Sequence, residues 1–510
     1  MNTMLNGLKN ATNYTMTENG AITHKTTKSD LLDMFARGAA MRNCADADVI
    51  LMFHRAFAED PVYALKCLFY IRDVRGGQGE RRFFRVVIKD MASRLNTRDA
   101  IKRNMALIPE FGRWDDLYAF MDTPLQNDAL NIIKHQLALD VQCKTPSLLA
   151  KWMPSENASS KKTIHLGNIT RSHLNMTHKE YRRTLAVLRS RINIVEKLMS
   201  ENRWDEIEFD KIPSKAGLIY KNAFARRDII KAKYEKFAKD ETTKVNASTL
   251  YPYEVVEKAL RVRNGGYYGS NIDLNDTDRL MVNKYWANLQ DYFNGVKLNA
   301  LAVVDTSGSM HGTPINVAIS LGMYCAERAG GPFANHYISF ASRPQLIECE
   351  GVDFVDKVHR IYKTNLVDNT NIEAVFDLLL QTAQNNKCSQ EDLPENILII
   401  SDMEFDAASR GGLYNWKTGK YVDQFGFTKG QADTVLEGIA KKWAAAGYKM
   451  PHLIFWNVDA RQNNIPMLGN GPISYVSGFS PSIFQTIMTG KTGYELMMEC
   501  LNKDRYAEIQ

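Results

Sequence analysis

Leu298-Asn-Ala-Leu-Ala-Val-Val-Asp305-Thr-Ser307-Gly-Ser309-Met310 decides how the second half of this chain folds. The run up to Val304 is apolar without alternation, as expected of a strand buried on both faces, and it ends in a D-x-S-x-S loop. Downstream, short β-branched or apolar runs (HYISFAS, NILIISD, HLIFWNV, ISYVSGF) alternate with amphipathic stretches (PINVAISLGMYCAERA, NIEAVFDLLLQTA, TVLEGIAKKWAAAG). Strand and helix in turn predict an α/β doubly wound parallel sheet, whose ligands bind at the carboxyl ends of the strands. Two further loops bring Thr370, ahead of a helix in VDNTNIEAVF, and Asp402, behind a strand in NILIISDMEF. Asp305, Ser307, Ser309, Thr370 and Asp402 are then two carboxylates and three hydroxyls on three loops. Hard oxygen ligands of low total charge, with room left for water, suit octahedral Mg²⁺ (or Mn²⁺) better than zinc or a calcium cage. The bland alternative for DTSGSM is a serine-rich helix cap.

Upstream the texture differs. From about residue 28 to 262 apolar residues recur at helical spacing, in segments such as SDLLDMFARGAAMR, PVYALKCLFYIRDV, ERRFFRVVIKDMASRL and RRTLAVLRSRINIVEKLM. Asp60-Pro61 and Ile108-Pro109 mark helix boundaries, since proline fits a first turn and disfavours helix in the residue before it. No strict period is visible, so stacked helix pairs are inferred from succession alone. A glycine-rich break, Arg263 to Asn271, precedes one more helical pattern and the change of texture. The expected organisation is an N-terminal extension at 1–27, an all-helical domain at 28–295, an α/β domain at 296–490 and a C-terminal helix at 491–510.

Composition narrows the class. The 510 residues are 45% hydrophobic and 24% charged, which excludes a largely disordered or collagen-like chain. No apolar run is long enough to span a bilayer and the polar start lacks a signal-peptide pattern, so a cytoplasmic protein with no membrane partner is expected. Seven cysteines without a C-x-x-C pair suggest neither a disulfide framework nor a zinc finger. Charge is uneven: residues 1–295 carry 46 basic against 35 acidic side chains, and residues 296–510 carry 18 against 23. Within 141–240 the balance is 21 to 11, which points to a polyanion partner. On a helix over 178–197, Tyr181, Leu185, Leu188, Ile192 and Val195 share one face, while Lys179, Arg182, Arg183, Arg189 and Lys197 fall on another arc as a candidate phosphate-binding stripe. A solvated face is the alternative.

The five loop residues resemble the metal-ion-dependent adhesion site of the von Willebrand factor A domain, although Thr370 follows Val-Asp-Asn where that family usually has glycines. The resemblance implies that Ser307, Ser309 and Thr370 bind the metal directly and Asp305 and Asp402 mostly through water, with one position open for a partner protein's carboxylate. In the helical half, Arg72-Asp-Val-Arg-Gly-Gly-Gln-Gly79 is similar to the signature of the TROVE module of Ro-type RNA-binding proteins. FGRWDDLYAF, THKEYRR, LYPYEVVEKAL and GFSPSIFQTI resemble that family's segments in the same order, and KWMPSENASSKK is closer to a poorly characterised related family. The resemblance implies a ring of HEAT-like helix pairs closed by the A-type domain, and a partner that is a small structured RNA with a single-stranded end. His178 and Lys179 match its Ser/Thr-His-Lys segment. By their residues alone, Arg72 to Gly79 read more simply as a structural corner, with arginine paired to Asp73 or to a helix end. The leading functional reading is a non-catalytic RNA-binding protein with an adhesion-type metal site, and its rival is a protein-interaction scaffold that binds no RNA. A hydrolase is disfavoured, since Asp402 and Glu404 are the only evident bases and Ser309-Met-His311-Gly is no nucleophile elbow.

Overall fold

The computed structural model describes Met4 and residues 12–192, 195–247, 250–260, 276–340, 343–364, 370–406, 413–415, 420–422, 435–462, 464–468, 473–487 and 491–510. The glycine-rich break at 263–271 lies outside these. A short hairpin, β1 (Tyr14–Met16) with β2 (Ile22–His24), comes first. Helices follow: α1 (Asp30–Arg37), α2 (Asp46–Glu59), α3 (Pro61–Arg72), α4 (Arg81–Ser93), α5 (Leu95–Asn104), α6 (Gln126–Gln142), α7 (Lys161–His173), α8 (His178–Arg191), α9 (Val195–Ser200), α10 (Ser214–Arg226), α11 (Asp228–Lys239), α12 (Pro252–Leu260) and α13 (Asp276–Ala287). Local chemistry sets their starts. The Ser29 hydroxyl accepts from Leu32 N–H ahead of α1, Asp60 accepts from Tyr63 N–H with Pro61 in the first turn of α3, and Thr177 and Glu180 form a reciprocal capping box on α8. Pro109 likewise sits in the first turn of a short helix, Ile108–Phe111.

The second half is a six-stranded sheet with α14 (Thr313–Arg328), α15 (Phe354–Thr364), α16 (Ile372–Asn385), α17 (Val435–Ala445) and α18 (Gly493–Leu501). Its strands are β3 (Ala300–Val304), β4 (His336–Ser339), β5 (Gln345–Glu348), β6 (Asn396–Ser401), β9 (His452–Asn457) and β10 (Ile473–Ser477), while β7 (Leu413–Asn415) and β8 (Lys420–Val422) pair separately. The order is β10-β9-β6-β3-β4-β5, parallel throughout except for the antiparallel edge β4–β5. Strand order therefore reverses at β3, the crevice position for ligands.

Alternate residues of the buried strands feed two different cores. Leu301, Val303, Ile397, Ile399, Leu453 and Phe455 pack with α16 and α17 residues such as Val375, Phe376 and Trp443. Ala302, Val304, Leu398, Ile400, Ile454 and Trp456 belong to a second core that takes in α14 and α15 and runs without a break through the helical half. Helices at both ends of that half rest on the α/β half: α1 packs on β10, while α12 packs on α14 and α15.

The Arg72–Gly79 stretch is the structural corner that its glycines suggest. Arg72, 2% exposed, does not pair with Asp73 but with Asp116, at 2.7 Å. Arg75 donates to the Glu110 carbonyl at a helix end, and the buried Asp73 carboxylate receives Arg505 and the Tyr506 hydroxyl from the C-terminal tail. Gln78 donates to the Tyr70 hydroxyl and accepts from Ser480 N–H, and the Ser482 hydroxyl donates to the Gly77 carbonyl. The GFSPS segment thus lies directly on the corner. A side chain at Gly77 would run into the Tyr70 carbonyl oxygen. The tail beyond α18 ends with Gln510 hydrogen-bonded to Asn104. No helix among the described residues is long and apolar enough to cross a membrane.

Arg72→Ala leaves the buried Asp116 with Arg85 as its remaining cation, at 2.6 Å, so it should lower unfolding free energy by about 2–3 kcal/mol, less than a fully stranded charge would cost. Denaturant titration measures this. Lys102→Ala, which removes an exposed pair with Asp128, should leave the midpoint close to wild type.

Candidate functional site

β3 and β6 lie side by side, with Val304 opposite Ile400, so the loops that follow them leave the sheet together. Asp305, entirely buried, accepts from Ser307 N–H (2.9 Å) on one carboxylate oxygen and from the Ser401 hydroxyl (2.6 Å) on the other. The Ser307 and Ser309 hydroxyls are 3.0 Å apart. Asp402, 1% exposed, accepts from Glu404 N–H on Oδ1. The buried Thr370 joins through the backbone: its carbonyl accepts from Asp406 N–H at 3.0 Å, which ties the third loop to the segment after Asp402. The five residues named from the sequence thus stand on three adjoining loops, with Asp305, Ser307 and Ser309 linked by hydrogen bonds and Thr370 tied in through its carbonyl.

The electrostatics are those of an undercompensated carboxylate pair. Burial, and secondarily the charge of Asp402, pushes Asp305 up to about 7, and burial raises Asp402 as well. Asp402 Oδ2 is buried and accepts no hydrogen bond. An orphaned carboxylate oxygen beside a second buried carboxylate and two serine hydroxyls is a donor set a hard divalent ion would complete. Among the described residues no cluster of three or more His, Cys, Asp or Glu side chains offers an alternative metal cage.

Two contributors, Arg461 and Glu18, have no signal in the local sequence, and Glu404 is marked there only as a potential base. Arg461 donates to the Ser309 carbonyl at 2.7 Å, and its Nε lies 3.9 Å from Asp402 Oδ2. Glu18, in the β1–β2 turn, accepts from Arg461 at 3.3 Å. Glu404 is an anchor: it accepts from Glu18 N–H (2.7 Å) and Asn464 (2.6 Å), and burial pushes its carboxyl up to about 7.

The basic stripe is less uniform than the sequence suggests. Over 178–197 the described helical residues are α8 to Arg191 and Val195–Ser200, and residues 193–194 lie outside the described residues. Tyr181, Leu185, Leu188 and Val195 are buried as expected. Arg189 departs from the exposed arc: it turns inward and donates to the Ala150 and Met153 carbonyls and the Ser155 hydroxyl, satisfying a loop that has no backbone partners for them. Lys197 donates to the Ser190 carbonyl and pairs with Glu201. His178 lies 3.0 Å from Glu156, and Arg182 donates to the His178 carbonyl. Lys179 and Arg183 are exposed and have no hydrogen-bond or ionic partner among the described residues. A second group of exposed cations goes unmarked in a helix-by-helix reading: Arg226, Lys231, Lys236 and Lys239 on α10 and α11 are likewise unpaired. Arg226 and Arg227 border a cavity of about 510 Å³ together with Trp204 and Tyr220.

Fold and site together define a helical N-terminal half docked on a doubly wound α/β half, with a carboxylate-and-hydroxyl site at the switch point of its sheet. Residues 299–508 match the family model described as domain of unknown function (DUF7788), and residues 17–93 and 147–294 match that described as domain of unknown function (DUF2828). The chain belongs to the family of "Uncharacterized protein L728" of Acanthamoeba polyphaga mimivirus, to which it is 30% identical over 521 residues, covering 94% of this chain and 85% of that protein. Among solved structures it is similar to the RO (RSR) protein of Deinococcus radiodurans, at 15% identity and a TM-score of 0.39 over 92% of each chain.

Asp305→Asn should relieve the like-charge burden and leave the loops in place, since an amide serves both the Ser307 N–H and the Ser401 hydroxyl. In chelator at pH 8 the variant is expected to be more stable than wild type by roughly 1–2 kcal/mol. Thermal melts with and without Mn²⁺ check this. The wild type should gain stability on adding the ion, and the variant should not.

Proposed function

We propose that this protein is a non-catalytic RNA-binding scaffold whose α/β half is a von Willebrand factor A-like module carrying a Mg²⁺-type adhesion site. The observation that carries the RNA part is the set of exposed cations on α8, α10 and α11 that have no ionic partner among the described residues, within a stretch of +10 net charge. A protein normally pairs or disperses surface charge. Exposed cations with no ionic partner among the described residues, on three helices of one basic stretch, favour a polyanion. The docking of both ends of the helical half on the α/β half supports a ring-like arrangement.

The metal part rests on the orphaned Asp402 Oδ2 beside Asp305, Ser307 and Ser309. In this reading Ser307, Ser309 and Thr370 hold the ion, and Asp305 and Asp402 balance its charge. The ion would supply an electrophilic position for a carboxylate of a partner protein. Asp305 orients the serine loop through its hydrogen bond from Ser307 N–H, and Glu404 fixes the segment after Asp402. Glu404 is fully engaged by Glu18 and Asn464 and stands as a structural anchor, which favours a binding site over a hydrolytic one.

The test is salt-dependent binding of a generic single-stranded RNA. Each lost phosphate contact should flatten the log–log slope by about 0.7, so the Lys179→Glu, Arg183→Glu, Arg226→Glu variant should lose roughly two units and bind far more weakly. Arg189→Gln should instead lower stability and leave the slope unchanged. An unchanged slope in the triple variant would remove RNA from the reading and leave the protein-interaction scaffold.

A further inference from the structure

The switch-point site contains a cation of its own. Arg461 lies in the loop after β9, and its guanidinium stands among four groups. Nη2 donates to the Ser309 carbonyl (2.7 Å) and Nη1 to Glu18 Oε2 (3.3 Å), while Nε lies 3.6 Å from Asp459 Oδ2 and 3.9 Å from Asp402 Oδ2. The last distance is too long for a hydrogen bond, so Arg461 neutralises Asp402 through space and leaves its Oδ2 unsatisfied.

Glu18 is held in place independently of Arg461. Its N–H donates to Glu404 Oε2 (2.7 Å), Asn19 donates to the Glu404 carbonyl (2.7 Å), and the Thr17 hydroxyl donates to the Phe405 carbonyl (2.6 Å). The β2 end is pinned by reciprocal backbone hydrogen bonds between His24 and Ile465. The hairpin turn is therefore fixed to the segment that follows Asp402, and it presents a carboxylate to Nη1 of Arg461, whereas Asp402 is nearest to Nε. Gln462 adds a weak contact to Glu18 at 3.4 Å.

A divalent ion bound by the Asp305 and Asp402 loops would face the guanidinium across a few ångströms of low-dielectric space. We propose that Arg461 is the built-in counter-cation that competes with the ion, and that Glu18 holds Arg461 off, so that the N-terminal hairpin sets the affinity of a site far from it in sequence. This rests on the metal reading above. Both are positioning residues, neither touching the ion. Binding of the ion moves Arg461 from Asp402 towards Glu18 and Asp459, which tightens the hairpin on the α/β half.

The test uses the full chain and Mn²⁺ alone, with affinity read by calorimetry and hairpin order by amide exchange over residues 17–24. Arg461→Gln should bind Mn²⁺ at least about tenfold more tightly than wild type, Arg461→Lys should stay near wild type, and Glu18→Gln should bind several-fold more weakly. Because Glu18 acts through Arg461, its substitution should have little effect in the Arg461→Gln background. Amide protection of the hairpin should rise with Mn²⁺ in wild type and not in Arg461→Gln. Additive effects, or an Arg461→Gln variant that binds no more tightly, would overturn the proposal while a loss of binding in Asp305→Asn kept the metal reading. If wild type, Arg461→Gln and Asp305→Asn all bind no Mn²⁺, the metal reading falls and this proposal with it.

Discussion

A mostly parallel sheet has to be covered on both faces, and here one of those covers is continuous with the other half of the protein. Leu398 and Ile400 of β6 point into the core that extends through the helical half, while Ile397 and Ile399 point into a local core with α16 and α17. Burial on both sides accounts for the unbroken apolar strands. It also binds the helical half to the sheet. The two halves consequently have no separate hydrophobic interiors along this face, and the order of the first, last and C-terminal helices follows from how they close over it.

Polar contacts give that closure its register. Apolar burial is non-directional and would tolerate a sliding interface. Asp73 receiving Arg505 and Tyr506, Gln78 bridging Tyr70 and Ser480, and Ser482 on the Gly77 carbonyl each require one alignment of helical corner, GFSPS segment and tail. Close approach at Gly77 has the same effect, because only hydrogen fits against the Tyr70 carbonyl. Two of the most distinctive motifs of the sequence are distinctive because they touch each other.

The same closure creates the electrostatic surroundings of the switch-point loops. The sheet end contributes Asp305 and Asp402, buried by the packing of their own loops. Their counter-charge comes from the loop after β9, and the charge opposite that comes from the hairpin at the start of the chain. Without a fixed hairpin, Glu18 would be a mobile surface carboxylate. Its attachment through Glu404, two residues beyond Asp402, makes it part of the site.

What the sequence determined by itself was local or periodic. Helices in the first half, alternating strands and helices in the second, the proline-marked starts of α3 and of the Ile108 helix, and the grouping of Asp305, Ser307, Ser309, Thr370 and Asp402 on adjoining loops were legible, since period and strand-end position are properties of short segments. Tertiary structure decided the partners. Arg72 pairs with Asp116 and not with its neighbour Asp73, Arg189 leaves the basic stripe to bond the 150–155 loop, and Lys197 is engaged by the Ser190 carbonyl and Glu201. Arg461 and Glu18 reach the site only because the N-terminal hairpin docks beside the loop after β9. A charged side chain goes to whichever buried carboxylate or unsatisfied carbonyl the packing exposes to it. That choice depends on contacts between residues far apart in sequence, which neither a helical arc nor a motif spacing encodes.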